Sequence, residues 1–421
     1  MRFLYSAGIF FFGILIRFAL LFNGKARKWV DGRKNILAEI EKKLSANTSP
    51  VAWFHCASLG EFEQGRPLIE AFRKENPGYF ILLTFFSPSG FDVRKNYTGA
   101  DFVCYLPLDT KKNARRFIAS AKPSVAFFIK YEFWLNYLDE LAQKNIPHFL
   151  VSAVFRNDQV FFRPWGRIFF RALQDYTWIF TQNADSDALL KNNRLANSSV
   201  AGDTRFDRVI EIASAEKDIP VAAAFSSNSN VIVAGSTWPQ DEMLLLPCLA
   251  EDLRHGTWKL IIAPHELSEE HCAEIEKKLS DNGIVPQKIV RFSMAGNDIA
   301  EKQVLLIDNI GMLSSLYRYG KIAYIGGGFG AGIHNTLEAA VYGIPVLFGP
   351  NYEKFSEAKI LLARGGGFSF SSAAEIKTRL DALMNDETAR AAAGKNAGIF
   401  VQENKGATEK ILSSCRGKIN R

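Results

Sequence analysis

Short apolar runs rich in β-branched and aromatic residues recur along the chain: Val51 to Cys56, Phe80 to Thr84, Phe102 to Leu106, Val125 to Ile129, Phe149 to Ala153 and Trp178 to Thr181. Longer helical patterns separate them, and this alternation predicts βα units built around a parallel sheet. The rhythm breaks at Ile219-Pro220 and the polar stretch Ser226 to Asn230. It resumes with Val231 to Ala234, Lys259 to Ala263, Val304 to Ile307, Ile322 to Ile325 and Pro345 to Phe348. An α/β protein of two doubly wound domains is expected, over residues 25–218 and 219–421. Ligands of such sheets bind beyond the carboxyl ends of the strands, so a cleft between the two domains is the expected site.

Residues 1–24 have a different pattern. Phe3 to Phe22 is apolar except for Arg17 and small residues, about the length needed to cross a bilayer core. No small-residue cleavage site follows it, and Lys25, Arg27 and Lys28 would hold the downstream chain on the cytoplasmic side. The segment is expected to be an uncleaved membrane anchor, either spanning or lying in the interface with Arg17 snorkelling.

The charge of +7 fits that placement better than nucleic acid. Residues 1–44 hold nine Lys or Arg against Asp31, Glu39 and Glu41, a local charge of +6, and the remainder is nearly neutral. With 48% apolar and 23% charged residues the chain has the composition of a folded protein. Its five cysteines are odd in number and form no close pair, which points away from a disulfide framework and towards a reducing compartment.

The strongest chemical signal follows the strand Ile322 to Ile325. There Gly326-Gly327-Gly328-Phe329-Gly330-Ala331-Gly332 leads into Ile333-His334-Asn335-Thr336-Leu337-Glu338. Glycines let the backbone approach a ligand closely, and a following helix would offer N–H groups to a phosphate. His334 and Glu338 stand four apart, so on a helix both would face one nucleotide. The same pattern also suits a tight packing turn. A metal pair is a further alternative, although no third ligand stands at a recognisable spacing. Pro345 to Pro350 offers no acid for a dinucleotide ribose, so nicotinamide and flavin are disfavoured and no cofactor is expected.

A second signal lies at the end of the first strand, where His55-Cys56 turns through Ala57-Ser58-Leu59-Gly60 into a helix opening with Glu61. A carboxylate at a strand's carboxyl end is placed to take a proton from a hydroxyl in the cleft. It equally suits a first-turn acid that complements the helix dipole, and Glu63 competes for either role. Farther on, Arg163, Arg167 and Arg171 recur every four residues among aromatics. If helical, they form a basic stripe for anionic head groups, or else a solvated face over core phenylalanines.

The stretch Trp53-Phe54-His55-Cys56-Ala57-Ser58-Leu59-Gly60-Glu61-Phe62-Glu63-Gln64, with Arg66-Pro67 after it, closely resembles the signature of bacterial 3-deoxy-D-manno-octulosonic acid (Kdo) transferases. Later stretches agree in order: Tyr131-Glu132-Phe133-Trp134-Leu135-Asn136, Gly202-Asp203-Thr204-Arg205-Phe206-Asp207, Ala234-Gly235-Ser236-Thr237-Trp238-Pro239, Gly332 to Glu338 and Phe348-Gly349-Pro350. The chain departs from the family at Lys130, where a Glu is frequent, and at Trp238, where a His stands.

The resemblance implies a GT-B glycosyltransferase that moves Kdo from CMP-Kdo to the lipid A precursor with inversion, on the cytoplasmic face of the bacterial inner membrane, without a bound metal. It implies Glu61 as the base, with Glu132 supporting it by orienting the acceptor or sensing charge near Glu61; the alternative for Glu132 is a buried, hydrogen-bonded carboxylate without a role in the reaction. Donor contacts would come from Gly235, Ser236, Thr237, His265, Gly327, Gly328, Gly332, His334, Asn335 and Glu338. Acceptor contacts would come from Ser58, Gly60, Arg163 and Arg167. The partners expected are the donor, the lipid acceptor and the membrane surface, and no nucleic acid. The competing readings are a GT-B enzyme using a UDP-sugar on another lipid, and a membrane-tethered nucleotide-binding module without catalysis.

Overall fold

The computed structural model describes residues 2–215 and 218–419. Two seven-stranded sheets organise it, and every strand pairing in both is parallel. The first contains β1 (Val51–Cys56), β2 (Phe80–Phe85), β3 (Phe102–Tyr105), β4 (Pro123–Ile129), β5 (His148–Ala153), β6 (Trp178–Thr181) and β7 (Ser198–Val200), in the order β3-β2-β1-β4-β5-β6-β7. The second contains β8 (Asn230–Thr237), β9 (Trp258–Pro264), β10 (Ile289–Arg291), β11 (Val304–Leu306), β12 (Ile322–Ile325), β13 (Val346–Phe348) and β14 (Gly367–Ser369), in the order β10-β11-β9-β8-β12-β13-β14.

The central strands are buried along their whole length, β1, β5 and β9 without a break, because helices cover both faces. That is why they read in the sequence as continuous apolar runs. The three strands without such a run, β7, β10 and β14, are three-residue edge strands. A short edge needs little apolar surface and leaves little signal.

In each sheet the winding reverses beside the first strand, between β1 and β4 and between β8 and β12. Neighbouring connections there leave in opposite directions and open a crevice at the strands' carboxyl ends.

The chain divides into two compact units. One runs up to Arg208 and resumes at Lys405, and the other is Val209–Asn404. The terminal helix Ala407–Ile419 therefore packs with the first unit, whereas the sequence pattern groups residues 219–421 together. The Asp207 carboxylate accepts from Gly406 N at 2.6 Å and Thr408 N at 2.7 Å, capping that helix. Ile411, Leu412 and Cys415 then enter the apolar cluster of Phe54, Phe72 and Phe127.

The helix Arg2–Ala19 is long and apolar enough to cross a membrane. One stripe of it is seated on the first unit. Arg2 pairs with Asp139, Tyr5 hydrogen-bonds Asp109, and the Phe12 ring meets Trp29 at 5.8 Å and Phe86 at 6.2 Å. Gly13 is buried against Leu108. The opposite face is bare, with Phe3 81% exposed and Phe10, Phe11, Leu15 and Phe18 also exposed, and Phe22 in the turn beyond the helix is 82% exposed.

Candidate active site

At the carboxyl end of β1 the chain turns through Ala57 and Ser58 into the helix Leu59–Glu75. Ser58 occupies the N-cap in extended backbone, and its hydroxyl donates to the Glu61 carboxylate one turn later. That bond fixes the acid at the mouth of the crevice. Glu61 is half-buried, and among the described residues no cation pairs with it. Glu63, its competitor, is engaged by Arg94 at 2.8 Å. Of the two, Glu61 is therefore the carboxylate without a cationic partner among the described residues. Gly60 is exposed beside it and leaves the approach open. Behind the turn, the Cys56 thiol is buried, and its burial together with the Glu61 and Glu132 charges pushes its pKa up, which makes it inert.

Glu132 follows β4, the neighbour of β1 across the switch point, and is 5% exposed. One carboxylate oxygen meets His55 Nε2 at 3.0 Å and accepts from Trp134 Nε1 at 2.6 Å. Its backbone carbonyl accepts from Tyr176 Oη at 2.7 Å. The chain of bonds continues inward, with His55 Nδ1 at 2.8 Å from Thr84 Oγ1 and that oxygen accepting from Trp53 Nε1 at 2.8 Å. Nε2 faces a carboxylate, which can only accept, so Nε2 is assigned the proton and Nδ1 accepts from Thr84 O–H. Glu132 is thus a buried carboxylate held by its own fold, and His55 is a residue for which no local sequence pattern assigned a role. Tyr131, next to Glu132 in the chain and within electrostatic reach of Glu61, has its hydroxyl pKa raised by burial, against the lowering effect of Arg156.

Arg163, Arg167 and Arg171 are all exposed, beside Trp165 at 64% exposure. They do not form one helical stripe. Arg163 precedes Pro164, whose ring forces the residue before it out of the helical region, and Arg163 is extended at φ −93°, ψ 149°. The helix begins only at Arg167, so Arg167 and Arg171 share a face and Arg163 stands off it.

In the second unit, the carboxyl ends of β8 and β12 lie side by side. Ser236 adopts φ 53°, in the left-handed region, just before Thr237 and Trp238. Asp241, in the first turn of the next helix, ties the two strand ends together. Its carboxylate accepts from Trp238 N at 2.9 Å, Gly327 N at 2.8 Å and Tyr324 Oη at 2.8 Å. Gly327 needs its φ of 89°, and a Cβ at Gly328 would lie 2.6 Å from the Gly349 Cα. The glycine run is thus a backbone-to-backbone junction as well as an open loop. Gly332, also in the left-handed region at φ 139°, closes it onto Gly327 O.

His334 and Glu338 do not share a helical face. The helix here is Leu337–Ala340, a single turn, and His334, Asn335 and Thr336 precede it in irregular backbone. A four-residue helix has little macrodipole, so it offers little of the anion-attracting helix end that the spacing predicted. His334 joins an aromatic stack: Trp238 lies 4.6 Å from His265, His265 lies 4.5 Å from His334, and Trp238 Nε1 donates to His334 Nε2 at 3.2 Å. Trp238 occupies the position where the resembling family has His and so caps a pair of imidazoles. Burial, then the neighbouring His265, push the His334 pKa down to about 4, so it is neutral at pH 7 and presents a dipole, not a charge. Glu338 turns elsewhere, accepting from Asn335 Nδ2 at 3.1 Å and Ser314 Oγ at 3.0 Å. The described residues contain no group of three or more His, Cys, Asp or Glu placed to hold a metal.

Asp241 and the Trp238 stack are absent from the sequence-derived site. The one signal for Asp241 was its spacing three residues after the helix-entry Trp238. The stack depends on three separate strand ends and has no local trace.

A family model described as 3-deoxy-D-manno-octulosonic-acid transferase (kdotransferase) matches residues 32–208. The 3-deoxy-D-manno-octulosonic acid transferase of Aquifex aeolicus is 30% identical over 353 residues, covering 82% of this chain and 89% of its own. That of Haemophilus influenzae is 26% identical over 385 residues, 88% of this chain and 87% of its own. Among solved structures, a UDP-GlcNAc 2-epimerase from Neisseria meningitidis bound to UDP-GlcNAc superposes with a TM-score of 0.60 at 17% identity, covering 87% of this chain and all of that one. At that identity the likeness concerns the fold alone, two parallel sheets in the GT-B manner.

Proposed function

The chain belongs to the 3-deoxy-D-manno-octulosonic acid (Kdo) transferase family of glycosyltransferases, and from that premise we propose that it moves Kdo from CMP-Kdo to the tetraacyldisaccharide lipid A precursor during lipopolysaccharide core synthesis. The observation that supports this mechanism most directly is Glu61, a carboxylate at a strand's carboxyl end, oriented by Ser58 and with no cationic partner among the described residues.

An acceptor hydroxyl oxygen attacks the anomeric carbon of Kdo. The bond from that carbon to the cytidylate phosphate oxygen breaks, CMP departs with the electron pair, and Glu61 takes the hydroxyl proton. Attack opposite the leaving group inverts the configuration. CMP is already a good leaving group, so the protein supplies a base, orientation and hydrogen-bond donors rather than covalent catalysis. The second unit holds the donor, with neutral His334, Asn335 and the loop from Gly326 to Gly332 around its phosphate and ribose. Glu132 keeps His55 and Trp134 in place beneath the acceptor side. The apolar face of Arg2–Ala19 and the exposed Trp165, Arg163 and Arg167 keep the chain at the cytoplasmic membrane surface where the acceptor lies.

The test is to incubate purified protein with CMP-Kdo and the lipid A precursor, with and without chelator, and weigh the product. A Kdo adduct formed equally with chelator is expected. Absence of an adduct, or inhibition by UDP in preference to CMP, would reject this donor and acceptor.

A further inference from the structure

The cleft beneath the N-terminal helix is not used by the reaction. It has a volume of about 720 Å³ and is lined by Arg17, Arg33, Lys34 and Arg116, with no acidic residue in its wall. Phe10, Ile14 and Arg17 stand at i, i+4 and i+7 on the helix and all line it, so one face presents an apolar rail that ends in a cation. Across from them lie Leu37 and Leu108.

The cations differ in how they are satisfied. Lys34 pairs with Asp31 at 2.7 Å, and Arg116 with Glu41 at 2.7 Å. Arg17 and Arg33 have no carboxylate partner among the described residues. Arg33 gives three N–H groups to backbone carbonyls, of Leu106 at 2.9 Å, Trp29 at 3.1 Å and Phe86 at 2.7 Å, and lies 3.8 Å over the Trp29 ring. Two of its five N–H donors remain unspent. Burial lowers its pKa to about 9, so it is still charged at neutral pH and would be stabilised by an anion.

We propose that this cleft is a binding site for an anionic membrane phospholipid, separate from the acceptor site, with the headgroup phosphate between Arg17 and Arg33 and an acyl chain along Phe10 and Ile14. Charge complementarity selects the headgroup, and the bare face of the helix, continuous with the rail, places the cleft where such a lipid is available. An Arg pair without counter-ions suits a phosphodiester better than a zwitterion's compensated charge.

The experiment uses the full chain and dihexanoylphosphatidylglycerol below its micelle concentration, titrated calorimetrically and by the fluorescence change of Trp29 in the cleft wall. One lipid per chain is expected, bound about tenfold or more tightly than dihexanoylphosphatidylcholine or inorganic phosphate. Arg17→Glu, on an exposed position, should weaken it by about tenfold or more, and Ala38→Trp, which narrows the cleft without touching a charge, should abolish saturation. Equal affinity for the phosphatidylcholine or for phosphate, or an unchanged Arg17→Glu, would overturn the site. Competition between the lipid and the lipid A precursor would overturn its separateness from the acceptor.

Discussion

Replacing Glu132 by Leu tests whether the buried network around it can reorganise. Two ring N–H groups, from His55 Nε2 at 3.0 Å and Trp134 Nε1 at 2.6 Å, converge on one carboxylate oxygen. If both were stranded, the loss would be about 3–5 kcal/mol, the usual cost of breaking a buried charged interaction. The geometry offers a retreat, however. Trp134 Nε1 also lies 2.9 Å from His55 Nε2, and His55 Nδ1 lies 3.2 Å from the Thr84 carbonyl. If the imidazole proton moves from Nε2 to Nδ1, Nδ1 donates to that carbonyl, Nε2 accepts from Trp134, and the Thr84 O–H released from Nδ1 turns to the Phe54 carbonyl at 3.4 Å, so no donor is orphaned. The expected loss is then about 1–2 kcal/mol, the difference between charge-assisted and neutral hydrogen bonds. Urea unfolding of the first unit measures the loss, and nitrogen NMR of the imidazole reads the tautomer in the wild type, Glu132→Leu and Glu132→Gln. Glu132→Gln keeps an acceptor and should keep the proton on Nε2. A loss of 3–5 kcal/mol in Glu132→Leu, or an unchanged tautomer, would refute the relay.

Glu61→Gln removes the base while leaving the shape of its turn, so kcat should fall by about 10²–10⁴ with CMP affinity unchanged, measured by product formation and by calorimetry. His334, whose folded pKa is depressed to about 4 against 6.5 unfolded, contributes stability that is full above pH 6.5 and lost as pH falls towards 4. Its proton resonance should titrate near 4 in the free protein, and a midpoint near 6.5 would contradict the buried stack. Gly328→Ala sets a methyl 2.6 Å from backbone that cannot rotate away, so the second unit should lose about 1–3 kcal/mol in thermal unfolding and bind CMP more weakly. Replacing Arg163, Arg167 and Arg171 together by Gln should raise the acceptor KM by about tenfold or more while CMP binding stays constant; equal kinetics would reduce them to a solvated surface.

Much of this architecture is written in local patterns. Strands buried on both faces must be apolar along their length, so the central strands of both sheets and the apolar N-terminal run were legible from the residues alone, whereas the two units divide after Arg208 and Pro220 opens a helix inside the second. The placement of Glu61 in the first turn of a helix after a strand was legible too, because a strand, a tight turn and a helix start are consecutive in the chain. Other features required the chain to return on itself. The terminal helix packs with the first unit because Asp207, 199 positions before Gly406, caps it and the still more distant Phe54 cluster accepts it. The spacing of His334 and Glu338 suggested a helical face, but a one-turn helix starting at Leu337 left the imidazole to stack on His265 and Trp238. The His55 to Glu132 pair is likewise tertiary, as is the meeting of Arg17 and Arg33 at one cleft without carboxylate partners among the described residues. Sequence periodicity records which face of an element is buried. Which side chains meet across elements is decided only when packing brings distant strand ends together and removes the water that would otherwise satisfy them.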